Sequence, residues 1–234
     1  MKIKYKKLKK NNISPELFRS FDRHQEVTHC YRKEEGKWVI KEISFVEEWG
    51  EEEIKELVQC LKNTLDTGGA VWGAFERGVC IGFTSVEAER FGTDRGYVEL
   101  SCLHISNGYR RHGIGKKLFS LACYSAQWLG AKRLYISSHS ATETQAFYKA
   151  MGCIEAREYK KEAVEKEPCD CQLEYQLHGL KAYRGMFLLL GILAGGFYGN
   201  VVLKRTILGT IVGVCFASFF YYFLNAKEIS SFKK

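Results

Sequence analysis

Proline is nearly absent: the 234 residues contain two. With 46% hydrophobic and 14% aromatic residues, that scarcity excludes a proline-rich or low-complexity disordered chain. Acidic residues are scarce at both ends. Residues 1–10 hold six lysines and no acid, and 181–234 hold seven Lys/Arg against Glu228 alone. The net charge of +8 therefore belongs to the ends, and residues 11–180 carry −4. A body of that sign lacks the broad basic face that nucleic-acid binding needs. No apolar run follows the N-terminal lysines, so they do not read as a secretory signal. Cysteine is plentiful, with nine, but paired spacing is missing. Cys169 and Cys171 have no second pair or spaced histidine to complete a metal site, so no metal is expected. An odd number of cysteines scattered through apolar stretches fits a reducing compartment.

Charge is missing altogether from two stretches, 185–203 and 206–224, each of 19 residues and separated by Lys204 and Arg205. As helices at ~1.5 Å per residue, each would span about 28 Å, the thickness of a bilayer's hydrocarbon. Gly191, Gly195 and Gly199 repeat every four residues, as do Gly209, Gly213 and Ala217. Such small-residue stripes let helices approach closely in lipid. The expectation is a two-helix transmembrane hairpin over 181–234, appended to a domain at 1–180. A buried soluble hairpin or a dimerisation arm is the alternative. Five Lys/Arg flank the runs on the side of the termini and two lie in the turn, which places both termini and the body in the cytoplasm of a membrane-held, multi-pass protein. Without the hairpin, the chain would be cytoplasmic.

The body alternates strand and helix patterns, giving an α/β domain. Strands are expected at 3–8, 38–46, 70–75, 79–86, 97–106, 133–138 and 171–177. Ile54, Leu57, Val58, Leu61 and Leu65 have the spacing of an amphipathic helix over 51–65. Two more helices are expected at 113–130 and 142–151, closed by Gly130 and Gly152. The segment 11–47 has no clear pattern.

The most informative stretch runs from Leu103 through His104 and Ile105 to Arg110, Arg111, His112, Gly113, Ile114, Gly115 and Lys116. A strand runs out into a basic, glycine-bearing turn that opens a helix. The N–H groups at a helix start attract anions, and glycines let the main chain approach a phosphate. Without a GK[ST] ending it is not a nucleotide-hydrolysing loop, and it lacks the third glycine of a dinucleotide fingerprint. The residues alone read as a pyrophosphate-binding turn.

Arg110-Arg111-His112-Gly113-Ile114-Gly115 resembles the R/Q-x-x-G-x-G/A signature of the GNAT family of N-acetyltransferases. About 35 residues on, Gln145-Ala146-Phe147-Tyr148 through Gly152-Cys153 resembles that family's A-x-x-F-Y-x-x-x-G-F segment, with Cys153 replacing the closing aromatic. The resemblance covers approximately 1–178. It implies a GNAT-like mixed central sheet flanked by helices. It also implies acetyl-CoA as cosubstrate and acetyl transfer to a primary amine of a small molecule or protein, by direct attack in a ternary complex. The pyrophosphate would sit on the N–H groups from Arg111 to Lys116, and the pantetheine arm on the backbone of Leu103, His104 and Ile105. Tyr148 matches the tyrosine that protonates the leaving thiolate. Glu99 matches a glutamate base of some members; His104, on the opposite face of an ideal strand, and a water are the alternatives. Ala141 stands where an asparagine is frequent, which puts a cofactor contact there in doubt. The acceptor is expected against 11–47, where Arg19, Arg23, His24, Gln25, Tyr31, Arg32, Trp38, Glu47, Glu48 and Trp49 are concentrated. A non-catalytic acetyl-CoA sensor or a membrane scaffold is the competing class. The expected partners are the amine acceptor and the membrane, with no nucleic acid; a homodimer is open.

Overall fold

The computed structural model describes residues 1–177 and the single position Cys215. The expected hairpin, with helices at 185–203 and 206–224, lies outside the described residues save for that position. Among those described, no helix is long and apolar enough to cross a membrane.

The described unit, Met1–Leu177, is an α/β domain. Its elements are β1 (Ile3–Lys7), β2 (Gln25–Glu34), β3 (Lys37–Glu47), α1 (Glu51–Asp66), β4 (Ala70–Glu76), β5 (Val79–Val86), β6 (Tyr97–Ile105), α2 (Ile114–Trp128), β7 (Arg133–Ser138), α3 (Thr142–Ala150), β8 (Ile154–Glu155), α4 (Lys161–Lys166) and β9 (Cys171–Gln176). Seven strands form one sheet in the order β1-β4-β5-β6-β7-β9-β8, while β2 and β3 form a separate hairpin. Only β6 and β7 run parallel, so the sheet is mixed, as expected.

Local sequence explains most of these elements. Glu51, Glu52 and Glu53 occupy the first turn of α1, where negative charge favours the N-terminus, and the Glu53 carboxylate accepts from Gly50 N–H at 2.8 Å. Arg77 and Gly78 take φ of 48° and 89°, making the tight turn that joins β4 to β5. Glu35 and Gly36, at 47° and 80°, do the same for β2 and β3. The unpatterned segment 11–47 thus contains β2, which the sequence did not announce. Its residues alternate poorly because most of the hairpin is solvated: along β2 only Val27 and Cys30 are buried. The short β8 and α4 were likewise unforeseen.

Two apolar clusters sandwich the sheet. One joins Val98, Leu100, Leu134 and Ile136 to Phe119 and Ala122 of α2 and Tyr148 of α3. The other joins Val71, Phe75 and Phe83 to Leu57, Val58 and Leu61 of α1 and to Phe18. Strand β6 changes its facing partway along. Cys102 pairs with Ser85 but Leu100 pairs with Val86, so Ser101 is an extra residue, a β-bulge. One inserted residue reverses the alternation. Leu103 therefore joins Val98 and Leu100 on the α2 side, while Cys102 packs toward α1. His104, against Trp49 and Phe83, consequently shares a face with Glu99. The ideal-strand expectation that the two point opposite ways is corrected.

Candidate active site

Strands β6 and β7 pair at three positions only: Tyr97 with Arg133, Val98 with Leu134, and Glu99 with Tyr135. On its other side β6 stays paired with β5 as far as Ile105, opposite Gly82. Beyond Glu99, then, β6 has a main-chain edge with no strand partner among the described residues, and Leu103, His104 and Ile105 lie along it. The divergence has a local cause. The chain leaving β7 is drawn to the separate hairpin, where Ser140 O accepts from Tyr31 N–H at 2.8 Å and Ala141 bridges Cys30. Gln145 of α3 holds the same loop by donating to Ser138 Oγ at 3.0 Å and His139 O at 2.8 Å.

The turn after β6 ends at the start of α2. The first helical bond there runs from Lys117 N–H to Gly113 O at 3.2 Å, so the N–H groups of Gly113, Ile114, Gly115 and Lys116 precede the intrahelical ladder. Arg111 and Gly113 hold φ of 66° and 78°. A Cβ at Gly115 would sit 3.2 Å from the Phe147 ring and 3.8 Å from Ile105, so glycine there lets α3 close on the helix start. Arg111, His112 and Lys116 are exposed and line the turn, whereas Ile114 is 1% exposed and anchors α2 in the core. The Arg110 side chain turns inward instead. Its guanidinium donates to Ile105 O at 3.3 Å and Arg23 O at 3.2 Å, bracing the end of β6. Burial, followed by the Arg23 charge, lowers its pKa. Arg110, named with the turn from its sequence, thus has its guanidinium engaged in bracing β6.

Tyr148 is buried on α3 among Phe119, at 6.2 Å between ring centroids, and Phe147, at 5.1 Å. Burial pushes its phenol far above 10, with Cys153, Cys102 and Asp170 adding in the same direction. The hydroxyl therefore keeps its proton. Glu99 is not free: Lys160 Nζ donates to its Oε2 at 2.6 Å. His104 is held neutral, its pKa pushed down to about 3 by burial and then by the Arg23 and Arg110 charges. That makes its imidazole a weak proton acceptor, contrary to the expectation from its ordinary pKa.

The sequence pattern of the "Acetyltransferase (GNAT) family" matches residues 20–153, more than half the chain. This chain belongs to the GNAT acetyltransferase family. No curated protein matches it significantly. Among solved structures it is similar to nourseothricin acetyltransferase, at 15% identity and a TM-score of 0.54, over 76% of this chain and 99% of that one. It is also similar to a putative streptothricin acetyltransferase from Bacillus anthracis str. Ames, in complex with acetyl coenzyme A. There the identity is 13%, the TM-score 0.56, and the coverage 76% and 98%. At these identities the likeness shows the fold.

In this GNAT domain the β2–β3 hairpin contributes a polar cluster. Glu47 Oε2 accepts from Arg23 Nη2 at 2.5 Å, and its Oε1 lies 3.4 Å from His139 Nε2. His139 Nδ1 accepts from Ala141 N–H at 3.1 Å, so in the neutral ring the proton is on Nε2, facing Glu47. The Arg23 guanidinium lies 5.7 Å over Trp49. Of the acceptor-side residues expected from the sequence, Arg23, Gln25, Glu47 and Trp49 come together, with Arg23 Nη1 donating to Gln25 Oε1 at 3.0 Å. Elsewhere on the hairpin, Trp38 and Lys33 are engaged with Glu155, at 3.2 and 2.6 Å. Asp170, before β9, accepts from Ser137 Oγ at 3.2 Å and has its pKa raised, chiefly by burial. His139, Lys160 and Asp170 were all missed by sequence reasoning. They lie in loops or at a short helix, where no periodic pattern marks them.

Proposed function

We propose that this chain is an acetyl-CoA-dependent N-acetyltransferase that acts on a primary amine by direct attack in a ternary complex. The carrying observation is the unpaired edge of β6 leading straight into the free N–H groups at the start of α2. An unpaired edge accepts an amide-bearing arm as an added strand, and the helix start accepts a pyrophosphate. Leu103, His104 and Ile105 would hold the pantetheine amides, and the N–H groups from Arg111 to Lys116 the phosphates. Arg111 and Lys116 add positive charge at the turn, and Arg110 keeps the edge in place. Acetyl-CoA supplies the acetyl thioester.

Transfer forms a nitrogen–carbon bond and breaks the carbon–sulfur bond. Tyr148 gives its proton to the departing thiolate. Burial keeps the phenol protonated and, because it also weakens the acid, the transfer draws on the charge of a thiolate formed in the same desolvated site. Asp170 takes the acceptor's proton. Its place beside Ser137 of the diverging β7, whose Oγ donates to it at 3.2 Å, and a pKa raised chiefly by burial favour it over Glu99, which Lys160 occupies, and over the weakly basic His104. Direct attack is favoured over an acetyl-cysteine because the cysteines around Tyr148 are poor nucleophiles. Burial pushes Cys153 up to about 12, and Cys102 is raised well above its ordinary value, first by its contact with Cys60. The test is thiol release from acetyl-CoA across an amine panel. Turnover lost in Tyr148→Phe and Asp170→Asn, but retained in Glu99→Gln, supports these roles. Acetyl-CoA binding with no turnover on any amine would instead mark a sensor.

The runs at 185–203 and 206–224 tether this enzyme to the membrane with its acetyltransferase domain in the cytoplasm. Their uncharged lengths and the five-to-two distribution of flanking Lys/Arg support this reading. Full-length protein remaining in the high-speed supernatant without detergent would refute it.

A further inference from the structure

One buried face of the sheet is lined by polar side chains. On β7, Leu134 and Ile136 join the cluster around Tyr148, so Tyr135 and Ser137 point to the opposite face. Gln172 of β9 lies directly across from Ser137. Tyr135 and Gln172 are 0% and 2% exposed, and burying their polar groups is costly unless each finds a partner. They find them in one chain of hydrogen bonds. Lys160 N–H, just before α4, donates to Tyr135 OH at 3.1 Å. Tyr135 OH donates to Gln172 Oε1. Gln172 Nε2 donates to Ser137 Oγ and to Asp170 O, each at 3.2 Å. Ser137 Oγ in turn donates to Asp170 Oδ2 at 3.2 Å.

Each bond sets the direction of the next. Accepting from Lys160, the Tyr135 hydroxyl turns its proton to Gln172, and burial above all raises its pKa to about 12, so that proton stays. With its oxygen taken, the Gln172 amide faces Ser137 and Asp170 with its nitrogen. Ser137, accepting from that nitrogen, keeps its own proton for the carboxylate. Asp170 Oδ2 is therefore held, whereas Oδ1 has no hydrogen bond among the described residues. We propose that Ser137, Gln172 and Tyr135 are positioning residues, a chain that anchors Asp170 through Oδ2 and leaves Oδ1 for the acceptor amine. The consequence for catalysis rests on Asp170 as the base in the reading above; the chain itself does not.

Removing a donor to a carboxylate disfavours its charged form, so a break in the chain should raise the pH at which Asp170 loses its proton. A break at Ser137 acts directly. One at Tyr135 acts through Gln172, whose amide is then free to turn over. On packed elements, His139 after β7, Glu47 of β3, Tyr135 of β7 and Tyr148 of α3 lie within electrostatic reach of Asp170, as do Glu167 and Cys171 on its own segment. Substitutions at Ser137 and Tyr135 leave all of these charges unchanged.

Two readouts on full-length protein separate positioning from mere support. One is the titration of isotope-labelled aspartate carboxyls by NMR, with Asp170 assigned among Asp22, Asp66 and Asp94 by its loss in Asp170→Asn. The other is the pH profile of thiol release from acetyl-CoA with the amine turned over fastest. Ser137→Ala should move the Asp170 titration and the acid limb of kcat/KM up together by about 0.5–1 pH unit. It should lower kcat about tenfold and change the KM for acetyl-CoA by less than about twofold. Ser137→Thr, which retains the hydroxyl, should restore both. Tyr135→Phe keeps the ring contacts with Phe91 and Tyr97 and should give a smaller shift in the same direction. Added to Ser137→Ala it should shift neither readout further, because the chain is already cut. A fall in kcat with the titration and the acid limb unmoved, or additive shifts in the double variant, would overturn the proposal. A shifted titration in Ser137→Ala beside undiminished turnover in Asp170→Asn would support the chain and overturn Asp170 as the base instead.

Discussion

Mild acid should destabilise this domain through one residue, His104. Its imidazole is packed against Trp49 at 4.8 Å and Phe83 at 5.4 Å, and its pKa falls from 6.5 to about 3. The folded state therefore holds the ring neutral, while the unfolded chain binds a proton below about pH 6.5. Stability from this group is complete above that value and is lost as pH falls. Between about pH 7.5 and pH 5, roughly 1.5 pH units below the unfolded pKa, the unfolded state takes up nearly one proton that the folded state does not, worth about 2 kcal/mol. Urea unfolding of wild type and His104→Phe at the two pH values isolates this contribution. Phenylalanine keeps the ring contacts and removes the titration. Subtracting one protein from the other also cancels His24, whose raised pKa, caused first by Glu48, acts in the opposite direction. The variant should lose about 2 kcal/mol less than wild type on acidification. Equal losses in the two proteins would refute a His104 held neutral by the fold.

Three further outcomes are expected. Tyr148→Phe should lower kcat by about 10²–10³-fold in a thiol-release assay, with little change in Tm because the ring contacts with Phe119 and Phe147 remain. Gly113→Val forces a β-branched residue into φ of 78° at the mouth of α2. It should cost about 1–3 kcal/mol in urea unfolding and raise the KM for acetyl-CoA. Glu174 is 1% exposed, accepts from Tyr97 OH and from Arg157 N–H at 3.0 Å, and helps burial raise the Tyr97 pKa to about 12. Glu174→Ala should lower unfolding free energy by about 3 kcal/mol, because the buried Tyr97 hydroxyl is left unpaired.

Elements made by contiguous periodicity were legible in advance. The α1 stripe from Ile54 to Leu65, the Gly78 turn and the Gly130 and Gly152 helix ends need only neighbouring residues to act. Strand β2 was not legible, because a solvated hairpin needs no regular apolar face and its contacts beyond its hairpin partner β3, to Ser140 and Ala141, come from more than a hundred residues away. The site divides in the same way. The turn from Arg110 to Lys116 and the Phe147-Tyr148 pair stand in continuous segments. Arg110's inward brace, by contrast, depends on Arg23 O and Ile105 O.

The sequence by itself determined an α/β acetyltransferase body with an acidic balance, a helix start built for an anion, and a buried-type tyrosine in its motif. The α/β alternation, the acidic balance and the anion-binding helix start follow from local composition and spacing, and the acetyltransferase reading and the tyrosine's place from the resemblance to the GNAT motifs. Only the tertiary structure decided which groups are free to react. Lys160 reaches Glu99 from the start of α4, burial and then two arginine charges hold His104 neutral, and the β2–β3 hairpin draws the chain after β7 away from β6. The bulge at Ser101 decided which way Cys102 and His104 point. An inserted residue is visible only against its partner strand, and a proton's affinity depends on charges brought near by folding.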